Sequence, residues 1–357
     1  MDLPIRPPFP PMEAKSVEKL PSGAGWLFEP KWDGFRCLSF RNAGDVLLQS
    51  KSAQPLARYF PELVEALRGV RAGRFVLDGE IVIAIEGALA FDDLLQRIHP
   101  AESRIRRLAA ETPATLLVFD LLVDARGKSL IDRPLIERRQ RLESLFREGA
   151  ELGGAAGLQL SPATQDREVA EEWMRGLSAT GLDGVMAKEL AAPYRSGDRS
   201  AMNKVKRMRT ADCVVGGFRY AQRGGEIGSL LLGLYNDRGL LDHVGFTSSF
   251  RADERCALKR LVTPLVRPPG FTGKAPGGPS RWSSERSGEW EPLEPRLVCE
   301  VRYDHFSGDR FRHGTKLLRW RPDKAAEACT MDQVRPLRSP AALARLGLGA
   351  AAGTTAK

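Results

Sequence analysis

Short runs rich in Val, Ile, Leu and Phe alternate with amphipathic stretches from Trp26 to about Arg209. LLQS (47–50), RFVLDGEIVIAI (74–85), TLLVFDLLV (115–123) and DGVMAKEL (183–190) have the length and composition of buried strands. Between them, PLIERRQRLESLFRE (134–148) sets Leu135, Leu142, Leu145 and Phe146 on one helical stripe behind Pro134. Val169, Trp173, Met174 and Leu177 mark a second amphipathic helix that ends before Gly181. This half reads as mixed α and β with much antiparallel sheet. The proline-rich first dozen residues read as an extended segment over a surface.

Beyond Thr210 the rhythm changes. CVVGGFRY, SLLLGLY, LDHVGFT and LVCEVRYDHF are short strands set off by glycine or Asp/Asn turns, with one helix at Ala252–Val262. Five or so strands and one helix suit a small β-barrel such as the OB fold, a frequent nucleic-acid binder. Residues 264–280 are rich in Pro and Gly and read as a loop. The expected division is a first domain over 1–210, ending after the basic run KVKRMRT, and a barrel domain over 211–330. An Ala/Gly-rich tail follows over 331–357, disordered from residue 340.

Composition narrows the picture. The chain has 357 residues, 42% hydrophobic and 28% charged, which suits two folded units rather than a disordered chain. No stretch approaches the ~20 apolar residues of a membrane span, and MDLPIRPPFPPMEAK lacks a signal pattern, so a cytoplasmic protein away from membranes is expected. Cys37, Cys213, Cys256, Cys299 and Cys329 lie far apart with no C-x-x-C pair, which excludes a zinc ribbon or a disulfide framework. The net charge is +9, and 41 of the 54 cationic residues are arginine. A polyanionic partner would explain this; an Arg-biased genome explains it equally well.

The chemistry-bearing residues fall in six places. EPKWDGFR (29–36) sets Lys31 beside Trp32, Asp33 and a glycine turn; a lysine acts as a nucleophile only when its amine is neutral, which desolvation or neighbouring cations favour. LDGEIV (77–82) and GLDGVMAK (181–188) each place carboxylates about a glycine, the oxygen ligands that Mg²⁺ prefers beside a triphosphate. VFDLL (118–122) offers Phe119 for stacking. NKVKRMR (203–209) alternates Lys204 and Lys206, so a strand projects both to one face. RWRPDK (319–324) closes the second domain with Arg319, Arg321, Asp323 and Lys324. Taken singly, each has a plainer reading: a solvated turn lysine, β-turn carboxylates, a core phenylalanine, a basic edge strand.

Their order and spacing, K-x-D-G-x-R, acidic strand motifs, K-x-K and a terminal R-x-D-K, resemble the covalent nucleotidyltransferases. Within them the chain closely resembles bacterial ATP-dependent DNA ligases of the short stand-alone type, related to the ligase module of end-joining enzymes, over residues 10–330. GGPSRW (277–282) and RYFPEL (58–63) add to the likeness. The resemblance implies an α+β fold: an ATP-grasp-like nucleotidyltransferase (adenylation) domain with mainly antiparallel sheets, followed by an OB-fold β-barrel domain. It implies that Lys31 takes AMP from ATP and passes it to the 5′-phosphate of nicked duplex DNA, which the adjacent 3′-hydroxyl then seals. Glu29 and Phe119 would meet adenine, and Arg36 and Glu80 the ribose or nearby phosphates. Asp183 and Glu80 would hold Mg²⁺ or Mn²⁺, and Asp33 would support the loop. Lys204 and Lys206 would neutralise the α-phosphate, Lys188, Lys51, Arg319 and Arg321 would lie against the nucleotide, and Asp323 and Lys324 would close over the pyrophosphate. Two departures stand out: Ser50-Lys51-Ser52-Ala53 replaces S-R-N-G, losing arginine's fork, and Asp183 stands where glutamate is usual.

A monomer working in repair near the nucleoid is expected. With no DNA-binding domain ahead of residue 26, a DNA-end-binding protein or a repair polymerase would help it at breaks. The alternatives are an RNA ligase, a GTP-dependent capping-type nucleotidyltransferase and a non-catalytic nucleic-acid-binding protein of ligase fold. An NAD-dependent ligase is disfavoured, since no four-cysteine zinc module is present.

Overall fold

A computed structural model describes residues 2–147, 152, 154–176, 182–221, 225–277, 289–335, 339–346 and 348. It divides into two compact units, Met1–Lys206 with Pro336–Lys357, and Arg207–Arg335. Among the described residues, no helix is long and apolar enough to cross a membrane.

The strands of the first unit are β1 (Lys15–Val17), β2 (Trp26–Lys31), β3 (Phe35–Asn42), β4 (Asp45–Ser50), β5 (Arg74–Val82), the hairpin β6 (Ala84–Ile85) and β7 (Ala88–Leu89), β8 (Thr115–Val123), β9 (Leu158–Leu160), β10 (Gly184–Glu189) and β11 (Met202–Lys206). Its helices are α1 (Pro61–Gly69), α2 (Phe91–Gln96), α3 (Glu102–Glu111), α4 (Leu135–Phe146) and α5 (Arg167–Gly176). One sheet runs β1-β11-β10-β2 and the other β4-β3-β5-β8-β9; their ladders are antiparallel except β1–β11 and β8–β9. β8 is buried at every position but its first, because it is covered on both faces. On one side of it, Phe60, Leu63 and Leu67 from α1 and its approach pack with Leu142 and Leu145 of α4. On the other, Leu3, Ile5 and Met12 of the N-terminal segment pack with Phe40, Leu122 and Tyr194, so part of that segment lies within the core rather than over a surface. α4 turns Leu135, Leu142 and Leu145 inward as the stripe predicts, yet it also buries Arg138 and Arg139. In α5, Trp173 and Met174 pack inward; Leu177 and Gly181 lie outside the described residues.

The second unit contains β12 (Arg209–Tyr220), β13 (Ile227–Tyr235), β14 (Leu241–Thr247), α6 (Ala252–Val262), β15 (Glu291–Pro292), β16 (Val298–Tyr303), β17 (Phe306–Ser307), β18 (Arg310–Phe311) and β19 (Lys316–Trp320). Its main sheet runs β14-β13-β12-β16-β19 with β15 beside β12. The ladder is open rather than a closed barrel: between its edges, Thr247 at the end of β14 meets Thr315, just before β19, in a single parallel bridge, tied by Thr247 Oγ1 donating to Thr315 O at 3.0 Å. Phe271, inside the segment read as loop, is buried in this unit's core; most of GGPSRW lies outside the described residues. The tail differs from expectation. α7 (Pro340–Arg345) is helical, and Leu343, Leu346 and Leu348 are buried with Trp32, Val82, Leu117 and Leu182 of the first unit. Its alanines let three leucines reach the core, which composition alone reads as disorder. Residues 349–357 lie outside the described residues.

His243 on β14 is buried, and among the described residues its Nε2 has no hydrogen-bond partner. Burial, with Arg310 and Arg219 nearby, lowers its pKa to about 4. A histidine held neutral in the fold but titrating near 6.5 when unfolded contributes stability above about pH 6.5 and loses it as pH falls towards about 4. The second unit should therefore lose about 3 kcal/mol of stability across that window. Urea unfolding of wild type and His243→Gln at several pH values checks this; equal acid slopes in the two proteins would exclude His243 as the source.

Candidate active site

Antiparallel register assembles one wall of the site. Lys31 of β2 lies opposite Gly184 of β10, which lies opposite Lys206 of β11; Glu29, Met186 and Lys204 form the next row on the same face. The intervening Phe28, Val185 and Ala187 point the other way, into a core with Ala170 of α5. Glycine is required at 184: its φ is +151°, and a Cβ would lie 2.0 Å from Val205 O. Gly34 answers to a similar constraint, since a Cβ there would lie 2.1 Å from Ile81 O, so the turn after Lys31 is pressed onto β5. Glu29, Lys31, Arg36, Lys51, Glu80, Phe119, Lys188 and Lys204 all line a cavity of about 240 Å³.

The second sheet closes the cavity with charge held in pairs. Arg36 donates from Nε and NH2 to the two oxygens of fully buried Asp78, at 2.6 and 2.7 Å. The Tyr194 hydroxyl donates to Asp78 Oδ2 at 2.6 Å. Behind them Arg138 makes a second bidentate pair with Asp120, at 2.8 and 2.9 Å. Phe119 is flanked by cations, with Lys188 Nζ 4.1 Å and Arg36 Cζ 4.6 Å from its ring centre. Lys188 Nζ also donates to Glu29 Oε2 at 2.7 Å.

Lys31 Nζ donates to Asp183 Oδ2 at 2.8 Å. Burial pushes the lysine's pKa down, but Asp183, then Glu80 and Asp33, outweigh it and hold the pKa above the usual value. This corrects the expectation of a pre-lowered amine: without nucleotide the carboxylates keep the ammonium charged. Glu80 itself is pushed up to about 7 by burial, against the pull of Arg36 and Lys31. Lys204 is shifted the other way from Lys31, lowered by burial and then by Lys206, Lys31, Lys51 and Arg199. Carboxylate oxygens of Asp33 and Asp183 lie within 4.8 Å of one another. Such hard donors fit a divalent cation of the Mg²⁺ or Mn²⁺ type, with Asp33 better placed for it than a purely structural turn residue.

Elsewhere, Lys51 is more than half exposed and pairs with Glu13 at 3.3 Å, and Glu13 also pairs with Arg199 at 2.6 Å. In the second unit Arg319 pairs with Glu300 at 2.6 Å, and Arg321 spans Asp212 and Asp323. Lys324 Nζ donates to Asp212 Oδ2 at 2.8 Å. The Arg321 hydrogen bond holds Asp323 down to about 2. Sequence reasoning missed Glu13, Asp78, Asp120, Arg138, Arg139, Tyr194 and Asp212. Asp78 was within reach, being the carboxylate beside Gly79 in LDGEIV. Apart from the i,i+4 pair of Arg139 with Glu143, the others meet their side-chain partners across 18 to 186 residues of chain.

The model of the ATP dependent DNA ligase domain matches residues 11–206, and that of the ATP dependent DNA ligase C terminal region matches 223–324. DNA ligase C1 of Mycolicibacterium smegmatis is 44% identical over 344 residues, covering 94% of this chain and 96% of that protein. DNA ligase C of Mycobacterium tuberculosis is 43% identical over 352 residues, covering 94% and 97%. A solved Lig E DNA ligase has the same fold, with a TM-score of 0.53 at 17% identity over 87% of this chain and 100% of that one. The register that sets Lys31, Glu29, Lys204 and Lys206 on one wall is thus found in a chain that belongs to the ATP-dependent DNA ligases.

Proposed function

We propose that this chain seals 5′-phosphate/3′-hydroxyl nicks in duplex DNA, using ATP and a divalent cation, through adenylate carried on Lys31. The observation that supports this reading most is the row Lys31–Gly184–Lys206, which sets the amine that lines the cavity and a second cation on one face of the sheet across a glycine. In the first step Lys31 Nζ, having lost its proton, attacks the α-phosphorus of ATP; a P–N bond forms, the bond to the β-phosphate oxygen breaks, and pyrophosphate leaves. Next an oxygen of the DNA 5′-phosphate attacks the same phosphorus, the P–N bond breaks, and the amine recovers a proton. Finally the 3′-hydroxyl attacks the DNA phosphorus and AMP departs.

Asp183 and Asp33, with Glu80 close by, would hold Mg²⁺ or Mn²⁺. That ion would draw off the counter-charge that keeps Lys31 protonated and screen the α-phosphate. Lys204 and Lys206 neutralise charge on the α-phosphate oxygens. Glu29 and Phe119 meet adenine, with Lys188 holding both. Arg36 is committed to Asp78, so its role is to fix Phe119 and the ribose wall rather than to grip phosphate. Lys51 meets phosphate at the exposed rim, while Arg319, Arg321, Asp323 and Lys324 act on the pyrophosphate. Duplex binding through phosphate contacts is salt-dependent and nearly sequence-independent, and a repair role with an end-binding protein or repair polymerase fits a short ligase.

Incubated with ATP and Mg²⁺, Lys31→Ala should fold normally and show no AMP mass on the intact protein, where wild type does. An AMP adduct retained by the variant would remove Lys31 from this role. Lys206→Ala should slow adduct formation about 100-fold, the effect of losing one charge-stabilising donor, with a smaller change in KM for ATP. Single-turnover adenylylation measures this, and a wild-type rate would place Lys206 away from the α-phosphate.

A further inference from the structure

Arg139 belongs to no motif, yet it is linked to both flanks of Lys31, through Ser161 on one side and by an ion pair with Glu29 on the other. Its side chain, on α4, is 5% exposed. Nε donates to Glu143 Oε1 at 2.7 Å, and NH2 to Ser161 O at 2.7 Å. The Ser161 hydroxyl accepts the Trp32 indole N–H at 2.9 Å, and Trp32 follows Lys31 directly. The third nitrogen, NH1, is 3.7 Å from Glu29 Oε1, and Glu29 precedes Lys31 by two residues. Among the described residues both of these buried atoms lack a hydrogen-bond partner, while the other oxygen of Glu29 is taken by Lys188. Glu29 is 1% exposed and lines the cavity with Phe119 and Lys188. A buried carboxylate oxygen without a hydrogen bond, on a residue that lines a cavity, has an acceptor to offer a donor.

We infer that Arg139 is a positioning residue for nucleobase choice: with Lys188 it fixes the Glu29 carboxylate so that Oε1 stays an acceptor aimed at a 6-amino group. The inference rests on the proposed adenylation of Lys31. An adenine amino group donates to that oxygen, whereas the 6-oxo group of guanine or hypoxanthine sets acceptor against acceptor. A site built to accept one donor rejects the analogue that lacks it. Without Arg139 the carboxylate turns about its Lys188 contact and the Trp32 support loosens, so the choice between bases weakens.

The test measures Lys31 nucleotidylation by intact mass, with ATP, GTP and ITP, in wild type, Arg139→Gln, Arg139→Lys, Glu29→Gln and the Arg139→Gln/Glu29→Gln pair. Wild type should prefer ATP. Arg139→Gln should narrow the ATP:GTP and ATP:ITP ratios of kcat/KM by about 10-fold or more, mainly through KM for ATP, and Arg139→Lys should restore part of it. Because both changes act on one carboxylate, their effects on the ratio should not add in the pair. Equal losses for all three nucleotides, or additive effects in the pair, would overturn the inference and leave Arg139 a structural residue. If Arg139→Gln fails to fold, Arg139→Lys and Glu29→Gln give the same comparison: a ratio unmoved in both overturns it. A wild type that forms no adduct with any nucleotide would fail the adenylation reading instead, a separate outcome.

Discussion

Everything at the site depends on a packing constraint in the β2–β10–β11 ladder. Its alternation gives one face to Phe28, Val185 and Ala187, and the other to Glu29, Lys31, Lys188, Lys204 and Lys206. A one-residue slip would bury the lysines in the apolar core and turn the core outward. The apolar face therefore fixes the polar one. Gly184 is the point of closest approach in that ladder, where any side chain would meet the backbone of β11. Fold stability and placement of the lysine are thus set by the same contacts.

Charges gathered this tightly would be unfavourable if left unpaired. The structure answers with a carboxylate against each of four cations at and behind the site: Asp183 for Lys31, Glu29 for Lys188, Asp78 for Arg36, Asp120 for Arg138. The Asp78 group shows how completely this is done, since Arg36 and the Tyr194 hydroxyl all turn onto one fully buried carboxylate. Breaking one member of such a group leaves the other charge buried, which costs more than the pair contributes. Rigid pairing is what lets a polar cavity persist beside two apolar cores.

Sequence reading recovered the strands whose burial is uniform, and it placed Lys204 and Lys206 on one face because alternation is a local property. It identified the fold through the order of six motifs, none of which is decisive alone. It failed where burial is decided by distant partners. Arg138 and Arg139 fall on the same helical face as Leu135 and Leu142, where their charge argues for water, yet Asp120, Ser161 and Glu29 supply partners that only the folded chain brings near. The tail failed for the opposite reason. Its alanines and glycines hide three leucines that find an apolar surface around Trp32, 311 residues from Leu343 in sequence, which composition cannot foresee.

The shifts of Lys31 and Lys204 divide the wall by function. Both are lysines on neighbouring rows of one sheet, and burial depresses both. Only Lys31 has carboxylates near enough to reverse the effect; Lys204 is crowded by Lys206, Lys51 and Arg199 instead. One side of the cavity is therefore anionic and suits a metal ion, and the other is cationic and suits phosphate. A polyphosphate laid along the cationic side, its metal on the acidic side, would bring its α-phosphorus towards the boundary between them. Lys31 stands on that boundary, paired to Asp183 and across Gly184 from Lys206, so in the proposed reaction the ligands that complete the charge balance would be the same ones that release the amine for attack.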